Sequence, residues 1–386
     1  MNASQCRICG SADMVEIEEF PRLRRVTSDC RPWPAGGRLA ACRSCGVLQK
    51  PQDPRWDEDC RAIYSDYLLY PQAGGAEQAV FDPASGVAAA RSQRLLERIL
   101  ETRTLTPGGR ILDVGCGNGG FLRAFHDRAP DWRLNGTELH DRYRKQIESI
   151  PRLEAFHQCL PDAVAGDFDW IVFMHVLEHV PHPTAVLDGL RAKFRPGGLL
   201  LVELPDHRQN PLDLAVADHS CHFSADTLRM VIERGGYVVE SLVSNWIARE
   251  HTALARVGTA KRGTPTNWNA TMAGAKACVR WLVAMADHAR SLAMSMPIGV
   301  FGSSIAATWL TAEVGERVEF FVDEDPNRDG RTHCGRPILA PSRVPSDVPI
   351  YVALPPVQAR TVEERLRGRG LRVESPPELR IDIPPA

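Results

Sequence analysis

At 386 residues the chain is too long for one ordinary domain, and its 44% hydrophobic and 24% charged residues describe two or three globular units with real cores. A balance of 46 Lys and Arg against 48 Asp and Glu, net −2, excludes any electrostatic case for binding duplex nucleic acid. No run reaches the ~18 apolar residues of a membrane span, and the start lacks a basic region followed by an apolar one, so a cytoplasmic protein is expected.

Eleven cysteines in such a chain argue for metal binding or burial rather than a disulfide framework. Cys6-Arg-Ile-Cys9-Gly10 and Cys42-Arg-Ser-Cys45-Gly46 are two CxxC-Gly knuckles. A tight turn with Gly after the second thiolate lets both sulfurs face one ion, so two such turns complete a tetrahedral S₄ zinc site. Neither knuckle opens a strand–helix–strand unit, which argues against a redox motif. The 32 residues between Cys9 and Cys42 must carry structure of their own. Four thiolates leave no open position on the metal, so its role is structural. Residues 1–75 are assigned to this module, and Cys30 and Cys60 to isolated thiols.

A helical pattern from Arg91 leads to a short apolar strand and a glycine loop, Arg110-Ile-Leu-Asp113-Val-Gly115-Cys-Gly117-Asn-Gly-Gly120, followed by a helix. Strand, loop and helix open a doubly wound α/β domain, whose ligands bind beyond the carboxyl ends of the strands. The next strand ends at Glu138, 25 residues after Asp113, where a carboxylate can accept both hydrogens of a ribose diol. Phe168–His175 and Gly197–Pro205 supply two further strands. His175-Val-Leu-Glu178-His179 fits a metalloprotease spelling. That chemistry needs both histidines on one helical face, and Pro181 and Pro183 follow too soon, so Glu178 and His179 are expected to brace a loop.

These pieces, ILDVGCGNGG, GTEL, FDWIVFMHVLEHVPHP and FRPGGLLLVELP, resemble class I S-adenosylmethionine methyltransferases in order and spacing. The resemblance implies that Gly115 and Gly117 line the methionine part of the cofactor, with Asp113 near its amino group. It further implies that Glu138 holds the ribose, that the Cys159-Leu160 region flanks the adenine, and that Met174 and His175 lie beneath the sulfonium. Residues 76–250 form this domain.

From Trp268 a long amphipathic helix leads into Ile298-Gly-Val-Phe-Gly302-Ser-Ser, a second strand–turn–helix, then strands ending at Asp323 and near Ile350. Residues 251–386 therefore read as a smaller Rossmann-like domain. Its loop has only Gly302 where G-x-G-x-x-G is wanted, so it is expected to bind part of a substrate or to pack, not to hold NAD.

The three parts in this order resemble the zinc-containing C-methyltransferases of nucleotide-linked deoxysugars. The pieces that carry the resemblance are CRICGS with CRSCG, the tyrosine-rich Tyr64-Ser-Asp-Tyr67-Leu-Leu-Tyr70, and VDEDPNRDGR with GRPIL. In that family a Glu-His pair within E-H-x-x-Y-F-S supplies the base, and here the segment is Asp218-His219-Ser-Cys-His222-Phe-Ser. The resemblance implies His219 as the base with Asp218 beside it, either touching the imidazole or belonging to a hydrogen-bonded loop. The family's Tyr positions are His222 and Val216. His222 with Cys221 makes a poor ligand set and is not expected to bind metal. The expected function is methylation of a small molecule, at carbon through a His-assisted enolate, with O- or N-methylation and a non-catalytic nucleotide-sugar scaffold as the alternatives.

Overall fold

The computed structural model describes residues 5–77, 79–81, 88–260 and 267–380. The start of the chain gives three short strands of one sheet, β1 (Met14–Glu16), β2 (Ala40–Cys42) and β3 (Leu48–Gln49), with a separate small hairpin at Arg25–Val26 and Pro32–Trp33, followed by α1 (Pro54–Ser65), capped by the Asp53 side chain. The middle of the chain gives α2 (Arg91–Thr102), β4 (Arg110–Val114), α3 (Gly120–Arg128), β5 (Arg133–Thr137), β6 (Leu153–His157), β7 (Phe168–Met174) and β8 (Phe194–Pro205). Then come β9 (Cys221–His222), β10 (Tyr237–Val243) and β11 (Glu250–Val257).

Among the described residues the large sheet has seven strands in the order β6-β5-β4-β7-β8-β11-β10. The first five are parallel and β11 is antiparallel to both of its neighbours. This is the class I methyltransferase arrangement. The short apolar runs explain it: Ile111, Leu112, Ile171, Val172, Leu200 and Leu201 are all fully buried, as parallel strands covered on both faces must be. The order reverses beside β4, which opens the crevice where such sheets bind ligands.

Strand β11 corrects the expected division of the chain. It starts at Glu250 and pairs with β8 from Leu200↔Ala255 to Pro205↔Glu250, so the boundary at 250/251 would cut the sheet. The separation comes after Val257. A second correction concerns the cysteine module. Its sheet, β1-β2-β3-β9, takes its last strand from residues 221–222, so residues 1–75 do not close on themselves.

The C-terminal part holds the expected long helix, α4 (Trp268–Ser295), with β12 (Ile298–Phe301), α5 (Ile305–Val314) and β13 (Val318–Val322). Its six-stranded sheet ends in Val373–Glu374, an edge strand beyond the one near Ile350. The buried face of α4 (Ala275, Leu282, Met285) shares one core with Phe20, Leu23 and Val26 of the cysteine module. No helix among the described residues is long and apolar enough to cross a membrane.

Candidate active site

The glycine loop between β4 and α3 has little room for side chains. Gly115 (φ 67°) and Gly117 (φ 55°) adopt left-handed conformations, and a Cβ on either would meet Val176 or Leu69 at 2.6 Å. The N–H of Gly117 donates to Glu138 Oε2 at 3.0 Å, and the N–H of Leu139 donates to Oε1 of the same carboxylate at 2.8 Å. Asp113 is buried beneath the loop, and neither of its oxygens has a hydrogen-bond partner. Burial first, then the charges of Glu138 and Glu77, push its carboxyl well above the usual range. An anionic Asp113 in this place needs a cation above it. Half-buried Cys159 follows β6 on the same edge of the sheet, and Met174 is half-buried at the end of β7.

His175 sits one residue past β7 with φ 55°. The chain then turns rather than continuing as a helix, so His175 and His179 take different partners, as expected. His175 Nε2 lies 3.1 Å from Glu250 Oε2 and its Nδ1 3.5 Å from Glu178 Oε1. Burial disfavours its cation, but Glu250 and Glu178 outweigh that and raise it to about 9. Arg91 Nε is 3.3 Å from Glu250 Oε1. Burial and the adjacent Glu250 raise Glu203 well above the carboxylate range, while Arg91 and His175 hold Glu250 below it against burial. Glu203 is thus held neutral beside the charged Glu250, within 4.8 Å of it on the neighbouring strand.

The segment after β8 folds back through a short turn, Pro211–Ala215, and returns as β9. It gathers Asp213, Asp218, His219 and His222 into one buried knot. Asp218 does not touch His219 through its carboxylate: Oδ1 accepts the Ser28 N–H at 2.9 Å, Oδ2 accepts the Ser28 hydroxyl at 2.5 Å, and His179 Nδ1 lies 3.3 Å from Oδ2. The direct form of the Asp218–His219 expectation is therefore replaced by the looped one. What meets His219 is Asp213, whose Oδ1 lies 2.6 Å from Nδ1 of His219 and whose Oδ2 lies 2.7 Å from Nδ1 of His222. Burial would raise Asp213, but His222 and His219 hold it below the usual range. The His179 and His219 rings meet edge to face at 4.5 Å, and the Tyr64 hydroxyl is 2.9 Å from His179 Nδ1.

Lys50, just past β3, is 1% exposed beside this knot. Burial pulls its ammonium down to about 7, and burial together with Lys50 takes His222 down to about 3. Sequence reasoning missed Ser28, Lys50, Asp213, Glu203 and Glu250 as members of the site. Only Asp213, six residues before His219 in a run of apolar residues, carried a signal: a lone acid where burial was expected.

The four sulfurs of Cys6, Cys9, Cys42 and Cys45 lie within 4.8 Å of one another, with Cys6 and Cys45 at 3.5 Å and Cys9 and Cys42 at 3.5 Å. Both knuckles close alike: Gly10 and Gly46 each have φ 73°, and each donates its N–H to the first cysteine's carbonyl at 2.8 Å. Three carboxylate–imidazole sets also place ligand atoms within 4.8 Å: Glu178-His179-His219, Asp213-His219-His222 and His175-Glu203-Glu250. The second is assembled by the fold-back, which brings Asp213 to His219 and His222. Its imidazole Nδ1 atoms are already engaged with that carboxylate.

Residues 87–242 match the family model described as a methyltransferase domain. Two curated relatives are the ubiquinone biosynthesis O-methyltransferases of Xanthomonas campestris pv. campestris (strain B100) and Xanthomonas oryzae pv. oryzae (strain PXO99A). Both are 32% identical, over 126 and 122 residues, covering 30% and 28% of this chain and 50% and 48% of the relatives. The match thus spans about half the length of these relatives. Among solved structures, an S-adenosylmethionine-dependent methyltransferase from Clostridium acetobutylicum ATCC 824 aligns at 10% identity and a TM-score of 0.36, over 53% of this chain and 98% of that one. The glycopeptide N-methyltransferase MtfA, complexed with S-adenosylmethionine, aligns at 14% identity and a TM-score of 0.36, over 43% and 93%.

Proposed function

We propose that this chain is a cytoplasmic S-adenosylmethionine-dependent methyltransferase that methylates a carbon beside a carbonyl in a small acceptor of the nucleotide-linked keto-sugar class. The observation that carries the reading is the continuity of the site. A glycine loop and ribose-type carboxylate at the ends of β4 and β5 lead through His175 and Glu178 to the buried imidazoles of His179 and His219.

The residues present fit the cofactor. Asp113, whose buried oxygens lack partners, suits an amino group; Gly115 and Gly117 admit a ligand against the backbone; Glu138 suits a ribose; and Cys159, Met174 and His175 lie at or just past the carboxyl ends of β6 and β7. When bound, the cofactor supplies a methyl group on a sulfonium, an electrophile that needs only an aimed nucleophile. The protein's task is then to make that nucleophile. His219 Nε2 takes the proton from the acceptor carbon, and the imidazolium so formed is stabilised by Asp213 through Nδ1. The two knuckles suit a structural zinc, and the C-terminal domain suits part of the acceptor.

A second reading, transfer to a hydroxyl oxygen, is favoured by the O-methyltransferase relatives; His219 would then deprotonate the hydroxyl. The test is mass spectrometry of nucleotide keto-sugars and phenolic acceptors incubated with enzyme and methyl-labelled cofactor. Label at carbon is the expected outcome, label at oxygen selects the second reading, and failure to bind the cofactor at all overturns both.

A further inference from the structure

The tautomer of His219 can be followed from one end of a hydrogen-bond chain to the other. As an ammonium, Lys50 Nζ has donors and no acceptor. It meets the carbonyl oxygen of Val216, the carbonyl oxygen of His219 at 3.3 Å and His222 Nε2 at 3.2 Å. His222 Nε2 must therefore accept, which puts the His222 proton on Nδ1, donated to Asp213 Oδ2 at 2.7 Å. The Asp213 carboxylate only accepts, so its other oxygen takes Nδ1–H of His219 at 2.6 Å. The carboxylate thus fixes both imidazoles, the Lys50 contact agrees with it at His222, and the last atom, His219 Nε2, is left without a proton.

We propose that Asp213 is a positioning residue that holds the proton of His219 on Nδ1 and keeps its Nε2 free to act as the base, with Lys50 orienting the second imidazole, His222, in the same sense. The inference rests on reading His219 as the base. Lys50 is carried by the cysteine module: its own N–H donates to the Ser220 carbonyl at 3.0 Å, continuing the pairing of β3 with β9. A buried ammonium is costly in a fold unless it is fully paired. Here each of its donors has an acceptor, and together with the Asp213 carboxylate it holds the His222 proton on Nδ1.

Asparagine at 213 makes the chain testable, because an amide offers one accepting and one donating edge. With Lys50 present, His222 keeps its proton on Nδ1 and claims the amide oxygen, so the NH₂ group faces His219 and drives that proton to Nε2. In the double variant Lys50→Met with Asp213→Asn, His222 can accept from the NH₂ group, and the Nδ1–H form of His219 should return. Long-range ¹⁵N–¹H spectra of the imidazoles, assigned with His219→Gln and His222→Gln, read this directly at neutral pH. The expected series for His219 is Nδ1–H in the native chain, Nε2–H in Asp213→Asn, and recovery of Nδ1–H in the double variant. His219 carrying its proton on Nε2 in the native chain, or an unmoved tautomer in Asp213→Asn, overturns the proposal, as does a double variant that matches Asp213→Asn. Should Asp213→Asn fail to fold, the native spectrum still decides, together with Lys50→Met, in which the Asp213 carboxylate should keep both imidazoles in the Nδ1–H form. Calorimetry with S-adenosylmethionine on the same native sample tests the methyltransferase reading separately, since the tautomers are measured without turnover.

Discussion

The N–H of Gly117 donates to the carboxylate of Glu138 at 3.0 Å, tying the glycine loop after β4 to the end of β5. One carboxylate thus braces the loop and faces the crevice. Glu138→Ala is expected to weaken S-adenosylmethionine binding by roughly 1.5–3 kcal/mol, the range for a hydrogen bond to a charged group. Titration calorimetry checks this, and an unchanged affinity would move the ribose contact elsewhere.

His219→Asn should leave cofactor affinity nearly intact while turnover falls by ~10²–10⁴, the usual contribution of a general base. Solvent deuterium should also enter the acceptor carbon only when His219 is present, even with a non-reactive cofactor analogue. Exchange that persists in the variant assigns the base to another group. Exchange absent from the native enzyme points to transfer at oxygen.

One zinc per chain is expected from the four clustered sulfurs. Cys6→Ser or Cys42→Ser should give insoluble or locally unfolded protein, because each sulfur lies inside the core shared with Val47, Leu204 and Phe223. Elemental analysis of soluble protein decides the matter, and well-folded protein without zinc refutes it. A second metal equivalent that vanishes in Glu178→Gln would belong to Glu178-His179-His219.

His175 should titrate near 9, where NMR can follow its ring protons. Its folded pKa stands above the unfolded value of about 6.5, so the native state binds the extra proton. The stability this contributes is fully present below about 6.5 and is lost as pH rises through 9. His175→Gln should flatten the alkaline fall in melting temperature between those values. A fall of native steepness in the variant would assign it to another group.

The parts of the site that could be read from the sequence are those whose partners are close along the chain. Gly115, Gly117 and Glu138 belong to one strand–loop–helix–strand unit, and each knuckle is complete within five residues. The elements around the loop follow from short apolar runs in the same way. Asp213, Ser28 and Lys50 were hidden for the opposite reason. Ser28 meets Asp218 across 190 positions and Lys50 meets His222 across 172, and no periodicity reports such pairs. Asp218 was singled out because it stands where the resembled family has the Glu of its Glu-His pair, yet neighbours in sequence point to opposite sides of an extended segment. The misplaced boundary at 250 has a similar origin. EHTALARV is one apolar run among several, and only its antiparallel pairing with β8 shows which sheet owns it.

The pairing of β3 with β9 has a consequence for how the protein is made. A ribosome that has released the first 60 residues has delivered all four thiolates and three strands of the module's sheet, but not the fourth. Until residue 222 emerges, β3 presents an open edge, able to pair with another nascent chain. Synthesis therefore runs ahead of completion by some 170 residues. During that interval, metal captured early by the four clustered cysteines would hold the half-built sheet in register for the strand that arrives last.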